Sequence, residues 1–316
     1  MKTILRRAAP LFVPVLVWLA FFIAFEPNNY FGLKASASST QPVARVREYQ
    51  ADPGTNLLLG DSRLAHIDMD QAAAVSGKQW QNLAFGGASL KETLDLAEYI
   101  LDSGNPVEEL VLSVSFYTLN QNYNTDRFEQ LETTLENPVA YCLNLEYNVN
   151  ALTVFLDTVR GTPDAVETGE WGPDDYVGDN GETLPLHYKL YTYPQSLIPR
   201  CRNWSLTDQF DRIAELAARC QAEGVHLTVV LPPMADIVLT EVCEPFGIDT
   251  AMEQQVLPRL NAWAEQYGFA LLDYEWADRP DFDDDTQFYD GFHLDEVHGL
   301  PEWVDMLFAA LTPAPA

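Results

Sequence analysis

The feature that most restricts what this chain folds into is a recurrence. Short, nearly continuous apolar runs, most of them bounded by turn residues, alternate with segments of helical periodicity. The runs are Thr55-Asn56-Leu57-Leu58-Leu59 after the turn signal Pro53-Gly54, Glu109 to Ser115, His226 to Leu231 before Pro232-Pro233, and Phe269 to Asp273. Trp80 to Phe85 (WQNLAF), breaking at Gly86-Gly87, reads as a further strand. Apolar runs this short and this bounded fit strands buried on both faces, the situation of a parallel sheet. Between them, Asp68 to Val75 reads as a short helix closed at Ser76-Gly77, and Ser89 caps an amphipathic helix with Leu90, Leu94, Ala97, Ile100 and Leu101 on one face. Glu92, three residues after Ser89, completes a capping box. Helical patterns return over Leu206 to Glu223, Thr250 to Tyr267 and from about Pro301 to Leu311. Strands alternating with helices predict an α/β fold, a three-layer α/β/α sandwich around a parallel sheet.

Two regions depart from this rhythm. From Phe116 to about Arg202, helical spacing over Tyr141 to Val159 gives way to an acidic, aromatic stretch, Gly169 to Tyr193, in which Asn180-Gly181 signals a hairpin or a long loop. This region, about 120–200, reads as an insertion over the carboxyl edge of the sheet, where such segments shape substrate binding. At the N-terminus, residues 8–25 form an uncharged apolar run preceded by Lys2, Arg6 and Arg7 and followed by Glu26. That length suits a bilayer core, and the charge bias leaves the N-terminus cytoplasmic and the remainder extracytoplasmic. The competing reading is a secreted form cleaved after Ala35-Ser36-Ala37. The expected organisation is a cytoplasmic N-terminus and single-pass anchor (1–26), a juxtamembrane linker (27–54) and an α/β domain (55–312).

With 18 Lys and Arg against 47 Asp and Glu, the net charge of −29 repels phosphate backbones, so no nucleic-acid partner is expected. Cys142, Cys201, Cys220 and Cys243 lack the close pairs that metal sites use, and no HExxH pattern or phosphate-cradling Gly-rich loop occurs. No metal or cofactor is expected.

The chemistry concentrates where strands end. Gly60 stops the first run and releases Asp61-Ser62, placing Ser62 outside the carboxyl end of a strand, where ligands bind in open α/β sheets. A serine hydroxyl needs a base, and the base needs an orienting group. Of the five histidines, His293 in Asp290-Gly291-Phe292-His293 has a carboxylate three residues away on the same loop. The backbone N–H groups of Ser62 and Gly87 are candidate oxyanion donors.

Gly60-Asp61-Ser62, Asn82 to Gly87 and Asp290-x-x-His293, in this order across about residues 55–312, resemble the SGNH (GDSL-like) hydrolase superfamily. The resemblance implies a flavodoxin-like topology, with Ser62 as nucleophile, His293 as general base, Asp290 as its orienter, and Gly87 and Asn82 at the oxyanion and substrate site. The chain departs from the pattern at the third block. There Ser113-Val114-Ser115-Phe116-Tyr117 carries no asparagine until Asn120, and Tyr117 and Asn120, after this strand, are further candidates for the oxyanion and substrate site. Together with the apolar N-terminus, this is most similar to the membrane-anchored branch that includes lipoteichoic acid D-alanylation and alginate O-acetylation proteins. That likeness implies a serine-dependent O-acyltransferase or esterase acting on acylated cell-envelope polysaccharide or teichoic-acid-like polymer. The implied partners are a membrane-bound O-acyltransferase and the lipid bilayer through residues 8–25. The alternative is a non-catalytic carbohydrate-binding or scaffold partner of such an acyltransferase.

Overall fold

The computed structural model describes residues 2–37, 39–161, 176–177, 183–184 and 186–312. The chain divides into two compact units, Met1–Asp52 with Glu129–Thr168, and Pro53–Phe128 with Gly169–Ala316.

The second unit holds a five-stranded sheet of β1 (Asn56–Leu59), β2 (Gln81–Asn82), β3 (Glu109–Ser113), β4 (His226–Leu231) and β5 (Ala270–Asp273). Every pairing is parallel, in the order β2-β1-β3-β4-β5. The predicted α/β class and parallel sheet are what the structure shows. After β1 the chain moves outward to β2 and then returns to β3 on the opposite side. The crevice beyond the carboxyl ends of β1 and β3 is thus the switch point at which open α/β sheets bind ligands.

Side chains alternate across the sheet. Leu58, Val111 and Val230 join the core cluster with Trp80, Trp303, Val304 and Phe308, under helices α4 (Met69–Ser76) and α12 (Gly299–Ala310). On the other face pack α5 (Leu90–Asp102), α10 (Arg212–Glu223) and α11 (Leu257–Tyr267). The caps act as the sequence suggests. Asp68 accepts from the N–H groups of Asp70 and Gln71, Gly77 closes α4 in the left-handed region, and Ser89 and Glu92 form both halves of the capping box.

Some boundaries differ from the expectations. β2 is only two residues long, but the strand direction continues irregularly, since Leu83 N–H donates to Leu58 O (2.8 Å) and Phe85 N–H to Gly60 O (3.2 Å). Helix α10 starts at Arg212 because Thr207 to Gln209 are occupied in turns, and α11 is preceded by a wider π-turn over Met252–Val256. In the expected hairpin, Tyr176–Val177 pairs antiparallel with Thr183–Leu184, and the Asn180-Gly181 turn lies outside the described residues. Helix α9 (Leu186–Cys201) follows it.

The first unit is helical: α1 (Lys2–Phe25), α2 (Pro42–Ala51), α6 (Phe128–Glu136), α7 (Pro138–Leu143) and α8 (Leu145–Arg160). The stretch 27–54, expected to be a linker, contains α2, which buries Val43, Ala44, Val46 and Tyr49. Its flanking polar run, SASSTQP, hid that pattern in the sequence. The centre of this unit is Tyr141, fully buried, whose hydroxyl donates to Glu26 and accepts from the Asn28 amide, with the Tyr30 ring stacked on it at 4.0 Å. The expected insertion is accordingly split, with 129–161 in the helical unit and α9 in the sheet-bearing one. Among the described residues no helix is long and apolar enough to cross a membrane. The side chains described in α1 are those of residues 12–25, so the first four residues of the predicted span fall outside them.

Candidate active site

Gly60 sets the first geometric condition. A Cβ at this position would stand 2.5 Å from Ser113 Cβ, so β1 and β3 approach closely only because this residue is glycine. Immediately after it, Asp61 caps the short helix α3 (Ser62–Ala65), its carboxylate accepting from the Arg63 N–H at 3.0 Å. Ser62 is therefore the first residue of α3. Among the described residues its own N–H has no protein acceptor.

His293 lies on the loop before α12. Gly291, with φ +85°, lets the chain double back between Asp290 and His293, and a Cβ there would meet Val238 Cγ2 at 2.9 Å. The turn brings three donors to the buried Asp290 carboxylate: the N–H groups of Phe292 (3.0 Å) and His293 (2.9 Å), and the ring nitrogen Nδ1 of His293, which lies 2.8 Å from Oδ2 and 3.0 Å from Oδ1. Burial pushes this carboxyl up, but the His293 ring and the two N–H groups outweigh it and hold it below the usual carboxylate range. An ionised carboxylate only accepts, so Nδ1 carries the proton and Nε2 is left with its lone pair. That Nε2 lies 2.7 Å from Ser62 Oγ. Ser62, His293 and Asp290 form one hydrogen-bonded chain.

The same local motif occurs again five residues later. Asp295, fully buried, accepts from the N–H groups of Val297 and His298 and faces His298 Nδ1 at 2.9 Å. Spacing alone does not separate the two Asp-x-x-His segments. Contact with Ser62 does, and only His293 makes it.

Behind Ser62 lies a buried ionic cluster that the sequence did not reveal. Arg63 pairs with Asp61 at 2.8 Å and with Glu275 at 3.4 Å. Glu275, just past β5, also accepts from Phe116 N–H (3.0 Å) and Trp276 Nε1 (2.8 Å). The cluster thus joins the ends of β1, β3 and β5. Burial raises the Asp61 carboxyl and Arg63 more than reverses it, holding Asp61 low. Glu275 has the longer and weaker share of that guanidinium, and burial pushes it up to about 7. Arg63 was visible beside Asp61, whereas Glu275 lies 212 residues away and had no local signal.

The Gly86-Gly87 turn lies next to the end of β1, where Phe85 N–H reaches Gly60 O. Gly87 has φ +66°, and its carbonyl accepts from Arg127 (2.8 Å), whose guanidinium is fixed in turn by Glu92 Oε1 at 2.8 Å and Oε2 at 3.0 Å. The capping-box glutamate of α5 therefore also anchors this turn. With its carbonyl turned toward Arg127, Gly87 has an N–H with no protein acceptor among the described residues. Two expected site residues are engaged elsewhere. The Asn82 amide donates to Leu64 O (2.7 Å) and its oxygen accepts from Ala84 N–H. Asn120, fully buried, donates to Arg200 O (3.1 Å) and accepts from Asn122 N–H. Both hold backbone rather than present a polar group to a ligand. Tyr117 lies beside the histidine loop, its ring centroid 5.6 Å from that of Phe292, and its hydroxyl accepts from Arg200 at 2.5 Å.

The cysteines take no part. All four are free and buried, and burial pushes the Cys201 and Cys220 thiols up to about 12, so they remain protonated at neutral pH.

No protein-family model matches the sequence, and no curated protein matches it. Solved structures similar to this chain include a protein of Bacteroides fragilis described as an acylhydrolase, at 9% identity over 82% of this chain and 88% of that one, TM-score 0.36. A protein of Desulfitobacterium hafniense, described as a lipolytic protein of the G-D-S-L family, matches at 10% identity over 80% and 99%, TM-score 0.36. A carbohydrate acetylesterase of Sinorhizobium meliloti matches at 13% identity over 81% and 99%, TM-score 0.35. At these TM-scores the likenesses decide nothing, and what this chain does is read from its own residues.

Proposed function

We propose that this protein is a serine-dependent esterase or O-acyltransferase working through an acyl-enzyme. The observation that carries the reading is the 2.7 Å contact between Ser62 Oγ and His293 Nε2, with Nδ1 of the same ring on the Asp290 carboxylate. Ser62 Oγ attacks the acyl carbonyl while His293 Nε2 takes its proton. The N–H groups of Ser62 and Gly87 receive the oxyanion. Collapse of the tetrahedral species expels the alkoxide, which His293 protonates, and leaves the acyl group on Ser62. Water, or the hydroxyl of an acceptor, then repeats the sequence in reverse. Asp290 keeps the ring in the required tautomer and stabilises the imidazolium without taking a proton itself.

The motif resemblance and the N-terminal run extend this reading to an extracytoplasmic enzyme on the cell membrane, acting on acylated envelope polysaccharide or teichoic-acid-like polymer beside a membrane-bound O-acyltransferase. Unit-level features support an anchor in lipid. In α1, Phe12, Val13, Val15, Leu16 and Val17 are exposed, and α8 exposes Leu145, Val149, Leu152, Leu156 and Val159 along one stripe. The test is acetate release from O-acetylated glycans and from an aryl acetate by the full chain and by Ser62→Ala. Release that disappears in Ser62→Ala is expected, and release indifferent to that substitution would overturn the proposal.

A further inference from the structure

The Ser–His–Asp chain accounts for proton transfer, but the oxyanion in the scheme above has only two backbone donors, because Asn82 and Asn120 are both spent on backbone groups. Tyr123 stands against the Gly87 turn, next to one of these two donors. Its hydroxyl lies 3.3 Å from where a Cβ on Gly87 would be, beside the unpartnered Gly87 N–H. Its ring packs at a tilt against Tyr117, centroids 4.3 Å apart, and Tyr117 packs edge-on against Phe292, the neighbour of His293. Its backbone N–H is fixed by Asn120 O at 2.8 Å, so the otherwise structural Asn120 turn aims this ring. Among the described residues the phenol makes no hydrogen bond to the protein, unlike Tyr117, whose hydroxyl Arg200 holds. Burial and the nearby Asp61 carboxylate push the Tyr123 hydroxyl upward, so it keeps its proton throughout the neutral range and has that proton to donate.

Resting on the esterase or acyltransferase reading, we infer that the Tyr123 hydroxyl is the third oxyanion donor, completing with the Ser62 and Gly87 N–H groups the hole that the third strand leaves open. Arg127 and Glu92 act as positioning residues, since they turn the Gly87 carbonyl away and thereby present its N–H beside Tyr123.

The test is Tyr123→Phe, which keeps the ring and its packing against Tyr117 and removes only the hydroxyl. Loss of one such donor lowers kcat by about 10²- to 10³-fold. On an aryl acetate, Tyr123→Phe is expected to lose kcat on that scale, with KM and the shape of the pH profile unchanged. Affinity for a trifluoromethyl ketone, which forms a tetrahedral adduct on the serine, should fall with kcat. A merely structural tyrosine would leave the ketone-to-substrate affinity ratio unmoved. Wild-type turnover that depends on Ser62, paired with a Tyr123→Phe kcat within threefold of wild type, overturns the inference and leaves the esterase reading standing. Wild-type turnover that is independent of Ser62 overturns both. Should Tyr123→Phe be recovered only in unfolded form, Thr125→Val with Arg127→Gln, which frees the Gly87 turn, must lose kcat similarly, and full activity there overturns the inference.

Discussion

Replacing Asp290 by asparagine separates the two tasks of this carboxylate. Oδ1 accepts from the N–H groups of Phe292 and His293 at 3.0 and 2.9 Å, and an asparagine oxygen in the same place keeps both bonds and so keeps the turn around Gly291. The amide nitrogen is then left facing His293 Nδ1, where Oδ2 now lies at 2.8 Å. Two donors cannot share that contact, so the ring must place its proton on Nε2. At 2.7 Å from Ser62 Oγ, Nε2 would then donate to that oxygen rather than accept from it. An inverted tautomer in a triad costs about 10⁴ in rate, or about 5.4 kcal/mol of transition-state stabilisation. The assay is kcat on an aryl acetate from pH 5 to 9, alongside near-UV circular dichroism to confirm the native fold. A folded Asp290→Asn protein with kcat within tenfold of wild type would refute the assignment of the orienter. The stability signature is separate. Because Asp290 is held below the usual carboxylate range, its share of stability is present above the unfolded value of about 3.9 and is lost as pH falls through the lower folded value. The difference in unfolding free energy between wild type and Asp290→Asn should therefore shrink only on acidification.

Three further outcomes follow from the surrounding shell. Arg63→Met leaves Asp61 and Glu275 buried without their cation, and is expected to cost about 3–5 kcal/mol in urea unfolding at pH 7. For Glu275, a carboxyl raised from 4.5 to about 7 contributes stability that is fully present below the unfolded value and is lost as pH rises through the folded one. This amounts to about 3 kcal/mol between those limits, so wild type should lose that much more than Glu275→Gln between pH 4.5 and 7. Gly60→Ala forces apart strands that leave 2.5 Å for the new methyl against Ser113 Cβ. It should destabilise the fold by about 1–3 kcal/mol and lower kcat through displacement of Ser62, both read from the same preparation.

Much of this arrangement was legible in the chain because it is local. The strand ending in Gly60-Asp61-Ser62, the capping box at Ser89 and Glu92, and the Asp290-x-x-His293 turn each involve residues within a few positions of one another, and short-range geometry fixed them. What escaped depends on contacts that no spacing encodes. Arg127 reaches Gly87 across 40 residues and Arg63 reaches Glu275 across 212. Asn120 illustrates the reverse case. As a polar residue after a strand end it invited a role in the oxyanion hole, but Arg200 O, 80 residues on, takes its amide. The stretch 27–54 misled for a different reason, since its polar first half masked the buried face of α2.

The central claim is that Ser62 is a nucleophile, and covalent trapping addresses it most directly. Incubating the protein with a fluorophosphonate and locating the adduct by peptide mass mapping should place one phosphonyl group on Ser62. The adduct should be absent in Ser62→Ala and much slower to form in His293→Ala. An adduct on any other residue, or labelling that survives Ser62→Ala, would contradict the account.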